Sequence, residues 1–171
     1  GYVNGDAFND ARFADPRAIA VDSAGNVYVA DSGNGRIRKI ALSGATTTIA
    51  GMGETSDYQT DGYYADLSSA AISYPHAIAV SPDGNTIYAA TQYAVIKIVR
   101  GSGNSGTITT LIDRNQNSTN TVWGHKTWPP YGGLNYYSKT ILLLDNTTPG
   151  SPILHVFLRA VNSAENQYWR V

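Results

Sequence analysis

The stretch "DPRAIAVDSAGNVYVADSGNGRIRKI" at residues 15–40 returns later in the chain as "YPHAIAVSPDGNTIYAATQYAVIKIV" at residues 74–99. The two segments share a proline, a verbatim "AIAV", a Gly-Asn turn and a closing "KI" motif. Each is followed by a glycine-led, threonine-rich run, "GATTTIAG" at 44–51 and "GTITTLID" at 106–113. Agreement this dense predicts an internal duplication, and it changes how every single motif within the repeat is interpreted.

A fainter third copy begins at Pro130. Asp145 follows that proline by fifteen residues, and Pro16 and Asp31 of the first copy have the same spacing. This spacing predicts that the run ending at Asp145 is the second strand of the third copy. The segment "QYWRV" at 167–171 is then predicted to be its fourth strand.

Each copy has the pattern of four short strands. In the first copy they are "AIAV", "VYVA", "IRKI" and "TTTIA", which are rich in β-branched residues and separated by Gly, Asn, Asp and Ser. A four-stranded antiparallel unit repeated at this scale is typical of a β-propeller blade, and the alanines of the first strand suit a crowded axis. The predicted segments are a link from a preceding blade at 1–15 and blades at about 16–51, 75–113 and 130–171, all within one domain of 1–171.

The residues also carry a family resemblance. The pattern "PRAIAVD…GNVYVADSGNGRIRKI…TTIAG" resembles an NHL repeat, and the leading "GYVNGDAFNDARFADP" resembles the link between two such repeats. The likeness is close over 1–53, good over 60–113 and weak over 130–171. The second copy departs from the family pattern by placing Thr91 where the family has Asp. The resemblance implies a propeller that is commonly six-bladed and is used mostly as a binding platform.

An all-β segment of about three blades would therefore form half of a six-bladed ring. Three blades cannot close a ring of the usual size of about four to eight blades. A half ring leaves two apolar blade flanks in water, which favours contact with something that covers them. The expected partners are other copies of this chain or other domains of the same larger protein, joined head to tail.

Composition narrows the class of partner. Only 15% of the residues are charged, against about a quarter in a typical domain, and the net charge is −1. No nucleic-acid partner is predicted, because no run of basic residues supplies the field that collects phosphates. No membrane insertion is predicted either, because the longest apolar run, around residues 140–145, is too short to span a bilayer. The chain begins without Met, as expected of a mature or trimmed piece of a longer protein.

Two N-glycosylation sequons begin at Asn117 and Asn146. Both fall in predicted loops, and the strand assignment above places those loops on one face of the propeller. The sequons and the polar, weakly charged composition predict an extracellular or cell-surface protein that carries N-linked glycans.

A propeller brings the loops after strand two and after strand four to one face, which is the default site for a ligand. The loops after strand two are predicted at 31–36, 91–94 and 145–152. The candidate binding residues of this face are Arg17, His76, Tyr131, Arg36 and Tyr93. The alternative is that these five are ordinary exposed loop residues.

No catalytic residue and no metal ligand is predicted. The three histidines are 49 and 30 residues apart, no HExxH or GxSxG motif occurs, and the chain has no Cys. No cofactor is expected, although loop carboxylates leave Ca²⁺ or another metal as an alternative. Within "DSGNGR", Asp31 is interpreted as an acid that positions the blade, because the second copy replaces this turn with "TQYAV".

The sequence therefore favours a non-catalytic, extracellular structural, adhesive or protein-interaction module. One alternative is a metal-dependent propeller lyase or hydrolase completed by other blades. The other is an intracellular NHL platform that binds RNA or protein.

Overall fold

Three antiparallel sheets account for the regular structure, which confirms the all-β prediction. The computed structural model describes residues 2–7, 9–53, 61–113, 137–145, 147, 153–160 and 166–170. The strands are β1 (Gly5–Asp6), β2 (Pro16–Val21), β3 (Val27–Asp31), β4 (Arg36–Ile40), β5 (Ala45–Ala50), β6 (Gly62–Tyr64), β7 (Ala77–Val80), β8 (Thr86–Ala90), β9 (Ala94–Arg100), β10 (Gly106–Asp113), β11 (Tyr137–Asp145), β12 (Ile153–Ala160) and β13 (Asn166–Arg170). Two short 3-10 turns, Ser32–Asn34 and Leu67–Ser69, complete the regular elements of the described segments, where no helix could cross a membrane.

The first two sheets repeat each other residue for residue. Their strand orders are β1-β5-β4-β3-β2 and β6-β10-β9-β8-β7. The same cross-strand row occurs in both, as Ala20–Tyr28–Lys39 in the first sheet and Ala79–Tyr88–Lys97 in the second. The duplication predicted from the sequence is therefore also a duplication of strand register.

Each of these sheets has five strands rather than the predicted four. The added strand comes from the link, where Gly5 pairs with Thr46 and Gly62 pairs with Ile108. Both glycines have a φ near +145°, which side-chain-bearing residues rarely adopt. Pairing with the link covers the open edge of the fourth strand. Strand propensity could not predict β1 and β6, because they are only two and three residues long.

The hydrophobic core lies between the sheets. The first strands are neighbours, with β2 against β7 and β7 against β11. Ala18 and Ala20 of β2 pack in the same core as Ile78 and Val80 of β7. This arrangement agrees with small residues at a crowded axis, and within the described residues the three sheets do not close into a ring.

The third sheet corrects the predicted strand assignment. Strand β11 lies against β7 and β8 in the way that β7 lies against β2 and β3, so β11 occupies the first position of its sheet. The Asp145 Oδ1 atom accepts a hydrogen bond from the Thr147 amide at 2.9 Å. In the first sheet the Asp22 Oδ1 atom, which follows strand one, accepts from the Ala24 amide at 3.0 Å. Asp145 therefore corresponds to Asp22 and not to Asp31.

Two predictions were wrong for this reason. The run ending at Asp145 is the first strand and not the second, and β13 is the third strand and not the fourth. The spacing from a proline failed because loop lengths differ between repeats, whereas the apolar pattern of "TILLLD" matches that of "AIAVD". The two sequons were placed on one face by this wrong assignment. Asn117 and Asn146 themselves lie outside the described residues.

A polar contact also joins the first two sheets, at the turns that follow β2 and β7. The buried Tyr28 hydroxyl lies 3.1 Å from Asp22 Oδ2 and 3.3 Å from the Gly84 carbonyl oxygen. Beside it, the amide and hydroxyl of Ser23 both donate to the Pro82 carbonyl, at 2.9 and 2.6 Å. Burial, with a further contribution from the Asp22 carboxylate, raises the pKa of Tyr28 to about 12.

The raised pKa of Tyr28 predicts alkaline destabilisation. Between pH 10 and 12 the unfolded chain releases the phenol proton that the folded chain keeps, so stability falls as pH rises, by on the order of 2 kcal/mol. Urea unfolding of the wild type and of Tyr28→Phe across this range measures the effect. The Phe variant should lose less stability with pH, because the other tyrosines titrate in both proteins. Equal pH slopes would contradict the assignment.

Candidate functional site

The structure brings four of the five candidate residues to the same end of the first two sheets. Pro16 pairs with Asp31, and Asp31 pairs with Arg36, which places Arg17 and Arg36 at this end. In the second sheet the His76 amide donates to the Ala90 carbonyl at 2.8 Å, next to the turn that contains Tyr93. We call this end of the two sheets the upper end. Tyr131, the fifth candidate, lies outside the described residues.

Both arginines of the upper end have partners within the chain. The Arg17 Nε atom donates to Asp15 Oδ2 at 2.8 Å in an exposed ion pair. Arg36 is held more firmly, because it donates to the carbonyl oxygens of Asn34 and Met52, both at 2.8 Å. Its guanidinium also lies 3.5 Å from the centre of the Tyr2 ring. Arg36 therefore fastens the turn after β3 to the neighbouring link.

A strained backbone conformation recurs at the upper end. Asp15 and Tyr74 have φ values of 46° and 44°, in the left-handed region that residues other than glycine rarely adopt. Each directly precedes the proline before Arg17 or His76, where the following ring restricts the backbone further. The repeat of this strain in two blades shows that the link is forced to turn sharply before it enters strand one. The sequence showed only the two prolines.

Asp31 is a buried hydrogen-bond hub. Its Oδ1 atom accepts from the Ala14 amide at 2.8 Å, and its Oδ2 atom accepts from Asn34 Nδ2 at 2.8 Å. The same Oδ2 atom lies 3.2 Å from Arg38 Nη1 in an ion pair whose side chains are both fully buried. Asp31 thus ties together the link, the turn and strand β4, which agrees with its interpretation as a positioning acid.

Arg38 extends the hub to the first residues of the chain. It donates to the carbonyl oxygens of Val3 and Arg12, at 2.8 and 3.2 Å, and to Asn4 Oδ1 at 2.8 Å. Its guanidinium also packs near the Phe13 ring, 5.1 Å from the centre. Burial lowers the pKa of Arg38, and the Asp31 carboxylate opposes this effect. The sequence missed the role of Arg38, because an arginine next to Lys39 has the pattern of an exposed basic cluster.

In the second blade, uncharged residues occupy the two positions that form the hub in the first blade. Thr91 takes the position of Asp31, and its Oγ1 atom accepts from the Tyr93 and Ala94 amides, at 3.3 and 3.1 Å. Ile96 takes the position of Arg38 and is fully buried in the core. The second blade has the same strand pairing without an ion pair. The Asp31–Arg38 pair of the first blade therefore acts locally, and it holds the link over the sheet.

The loop carboxylates also act as structural acceptors. Asp61 accepts from the amide and hydroxyl of Thr110, at 2.8 and 2.7 Å. Asp66 accepts from the Ser68 amide at 2.9 Å and from Asn104 Nδ2 at 2.7 Å. In the part of the chain that the structure describes, no three His, Cys, Asp or Glu side chains come together as a metal site would require.

Comparison with known proteins gives one family match and a set of structural matches. Residues 3–105 match the sequence family described as the teneurin NHL domain. Thirty-five chains of solved structures match, among them a Trichoderma reesei protein described as the calcium structure of carbohydrate-active enzymes family AA12. That match has 20% identity and a TM-score of 0.45, and it covers 91% of this chain and 31% of the other. This chain therefore spans about a third of that structure. A search of curated protein sequences returns no match.

The hub predicts a specific pattern of stability changes. Asp31→Thr should cost about 3 kcal/mol, because it leaves the Arg38 guanidinium buried without its carboxylate. The double variant Asp31→Thr with Arg38→Ile copies the second blade and should recover a large part of that loss. Urea unfolding at neutral pH measures both. A double variant no more stable than the single one would show that the ion pair is not the main contribution.

The environment of His76 predicts its titration. Burial, together with the positive charge of Arg17, lowers the pKa of this imidazole below its ordinary value of 6.5. As pH falls through 6.5 the unfolded chain takes up a proton that the folded chain does not, so stability decreases. NMR titration should give a midpoint below 6.5, with His76→Gln identifying the signal. Arg17→Gln should raise the midpoint, and a midpoint above 6.5 in the wild type would contradict the placement.

Proposed function

Because the chain belongs to the teneurin NHL family, we propose that it is a non-catalytic structural and protein-interaction module that works outside the cell. The NHL resemblance noted in its repeats is confirmed by the match over residues 3–105. The observation that carries the proposal is an apolar flank left exposed on the first sheet. Ile19 and Val21 of β2 are 68% and 56% exposed, although they correspond to the buried Ile78 and Val80 of β7.

The third sheet presents a second apolar flank. Ile141 and Leu143 of β11 are 50% and 57% exposed, and Phe157 of β12 is 40% exposed on the same face. Large apolar side chains that neighbour one another on an exposed face of a sheet are typical of contact surfaces rather than of solvated ones. The two flanks support contact with other domains of a larger protein or with further copies of this chain.

The use of polar groups supports a non-catalytic role. The carboxylates and guanidiniums at the upper end accept and donate hydrogen bonds within the chain, as Asp31, Arg36 and Arg38 do. A catalytic acid or base has to reach a substrate, whereas these groups hold a turn and a link in place. Among the described residues, the exposed apolar side chains of the two flanks are available for such contacts.

Extracellular location is supported by composition and by the two sequons. A low charge content with many Ser, Thr, Asn and Tyr residues is common in secreted and cell-surface proteins. N-linked glycans at Asn117 and Asn146 would be added only on the secretory route. In this proposal the protein is a glycoprotein, and the glycans keep parts of its loops clear of protein contacts.

Glycosylation provides the test of this location. The chain secreted from eukaryotic cells should lose mass on treatment with a peptide N-glycosidase, in two steps that Asn117→Gln and Asn146→Gln remove one at a time. Intact-mass spectrometry measures each step. The same chain made in bacteria is the unglycosylated control. An unchanged mass of the secreted protein would contradict the proposal that it is an extracellular glycoprotein.

A further inference from the structure

The Asp15–Pro16 bond joins two segments that are each fixed to the first sheet. On one side, the Ala14 amide donates to Asp31 Oδ1 at 2.8 Å, and the Ala14 carbonyl oxygen accepts from the Gly33 amide at 2.9 Å. A Cβ atom at residue 33 would lie 2.9 Å from that oxygen, so the approach is as close as a glycine permits. On the other side, Pro16 pairs with Asp31 at the start of β2. Asp15 therefore has to connect two fixed points.

The backbone of Asp15 carries strain that these contacts do not let it release. Its φ of 46° lies in the left-handed region, and a following proline restricts the residue further. Conformations of this kind persist only where the surrounding structure holds them. Tyr74 repeats the arrangement with a φ of 44° before Pro75, and the Ser73 carbonyl oxygen before it accepts from the Gln92 amide at 2.9 Å. The two blades share the strained backbone and differ in the side chain at the strained position.

The side chain of Asp15 makes this bond reactive. Asp15–Pro16 is the only Asp-Pro pair in the sequence. A carboxylate can act as a nucleophile toward the carbonyl carbon of its own residue, and the nitrogen of a proline, which has no N–H in the chain, leaves as a secondary amine. The Arg17 Nε atom donates to Asp15 Oδ2 at 2.8 Å, so the ion pair spans the bond, and the Asp15 side chain is 60% exposed to water. Other charged or ionisable side chains at the upper end include Asp31, Arg36, Arg38 and His76.

We propose that the chain cuts itself at the Asp15–Pro16 bond in mild acid, an activity that goes beyond the proposed function. A carboxylate oxygen of Asp15 forms a bond to the Asp15 carbonyl carbon. The bond from that carbon to the Pro16 nitrogen breaks, and the nitrogen takes a proton from the solvent. Water then opens the cyclic anhydride to two carboxyl groups, so the net reaction is hydrolysis of the peptide bond. A single cut in the chain's own backbone is not turnover, and the proposed function stays non-catalytic.

The contacts of the link hold the two pieces together after the cut. Strand β1 stays paired with β5. Arg38 still donates to the carbonyl oxygens of Val3 and Arg12, and Ala14 keeps its hydrogen bonds to the turn after β3. The cut therefore releases the strain at Asp15 and leaves the link over the sheet.

Incubation of the full chain at pH values from neutral down to about 4, near the ordinary pKa of an Asp carboxyl, tests the proposal. Peptide mass spectrometry and N-terminal sequencing follow the new chain end at Pro16, at each pH where circular dichroism shows the native fold. The folded chain should be cut about tenfold faster than the same chain in guanidinium chloride, because only the folded chain holds Asp15 in the strained conformation. Size-exclusion chromatography should keep both pieces in one peak, and denaturing electrophoresis should separate them.

Three variants separate the carboxylate from the strain. Asp15→Glu keeps the charge, but its longer side chain closes a larger and less favourable ring, so the cut should be lost. Tyr74→Asp places an Asp-Pro bond at the second strained position and should add a cut before Pro75. Ser81→Asp is the matched control, because it makes an Asp-Pro bond at a residue without a positive φ, where the first blade has Asp22. This bond should be cut no faster in the folded chain than in the unfolded one.

The proposal is overturned by any of four results. They are an intact Asp15–Pro16 bond, equal rates in the folded and unfolded chains, an Asp15→Glu chain that is cut as fast as the wild type, and a Tyr74→Asp chain that is cut no faster at its new site than Ser81→Asp. None of these rates depends on glycosylation or on a partner, so the proposed function can stand if the self-cleavage fails, and the reverse also holds.

Discussion

The packing of one first strand against the next is the contact on which the rest of the structure depends. A sheet of this size has no interior of its own, and its apolar side chains are buried only when another sheet covers them. The alanines of β2 and β7 let the branched side chains of the following strand approach closely. The link crosses between sheets and adds Leu67 and Ile72 to the same core. The same constraint explains why the two outer flanks remain apolar and exposed.

Polar chemistry in this protein serves the same architecture. A buried carboxylate and a buried guanidinium each lose hydration on folding, and they persist only because several partners satisfy them. Asp31 has three donors, and Arg38 reaches the link at Val3, Asn4 and Arg12. In the second blade Thr91 and Ile96 take the positions of Asp31 and Arg38, and the pairing of the strands stays the same. The ion pair is thus a local means of holding the link over the sheet.

The accuracy of the predictions followed the strength of the local sequence signal. Strands β2 to β5 and β7 to β10 are short runs rich in β-branched or aromatic residues and are separated by turn residues, so their existence and antiparallel order could be predicted. Strand β1 consists of Gly5 and Asp6, which have no strand propensity, and only its pairing with β5 makes it a strand. The third blade was misaligned because a proline spacing was preferred to the apolar pattern before Asp145. The candidate residues Arg17, His76, Arg36 and Tyr93 lie at one end of the sheets because of their positions in turns, and their role in binding stays a prediction.

The sequence by itself determined the repeat, the strands of the first two blades and the pairs of residues that share a face. It could do so because alternation along a strand is a local property, set by the geometry of the extended backbone. Only the tertiary structure decided which sheet covers each face. Arg38 and Ile96 occupy equivalent positions, yet one binds the link and the other enters the core. That difference depends on the segment that packs above each residue, and the pattern within a strand contains no information about it.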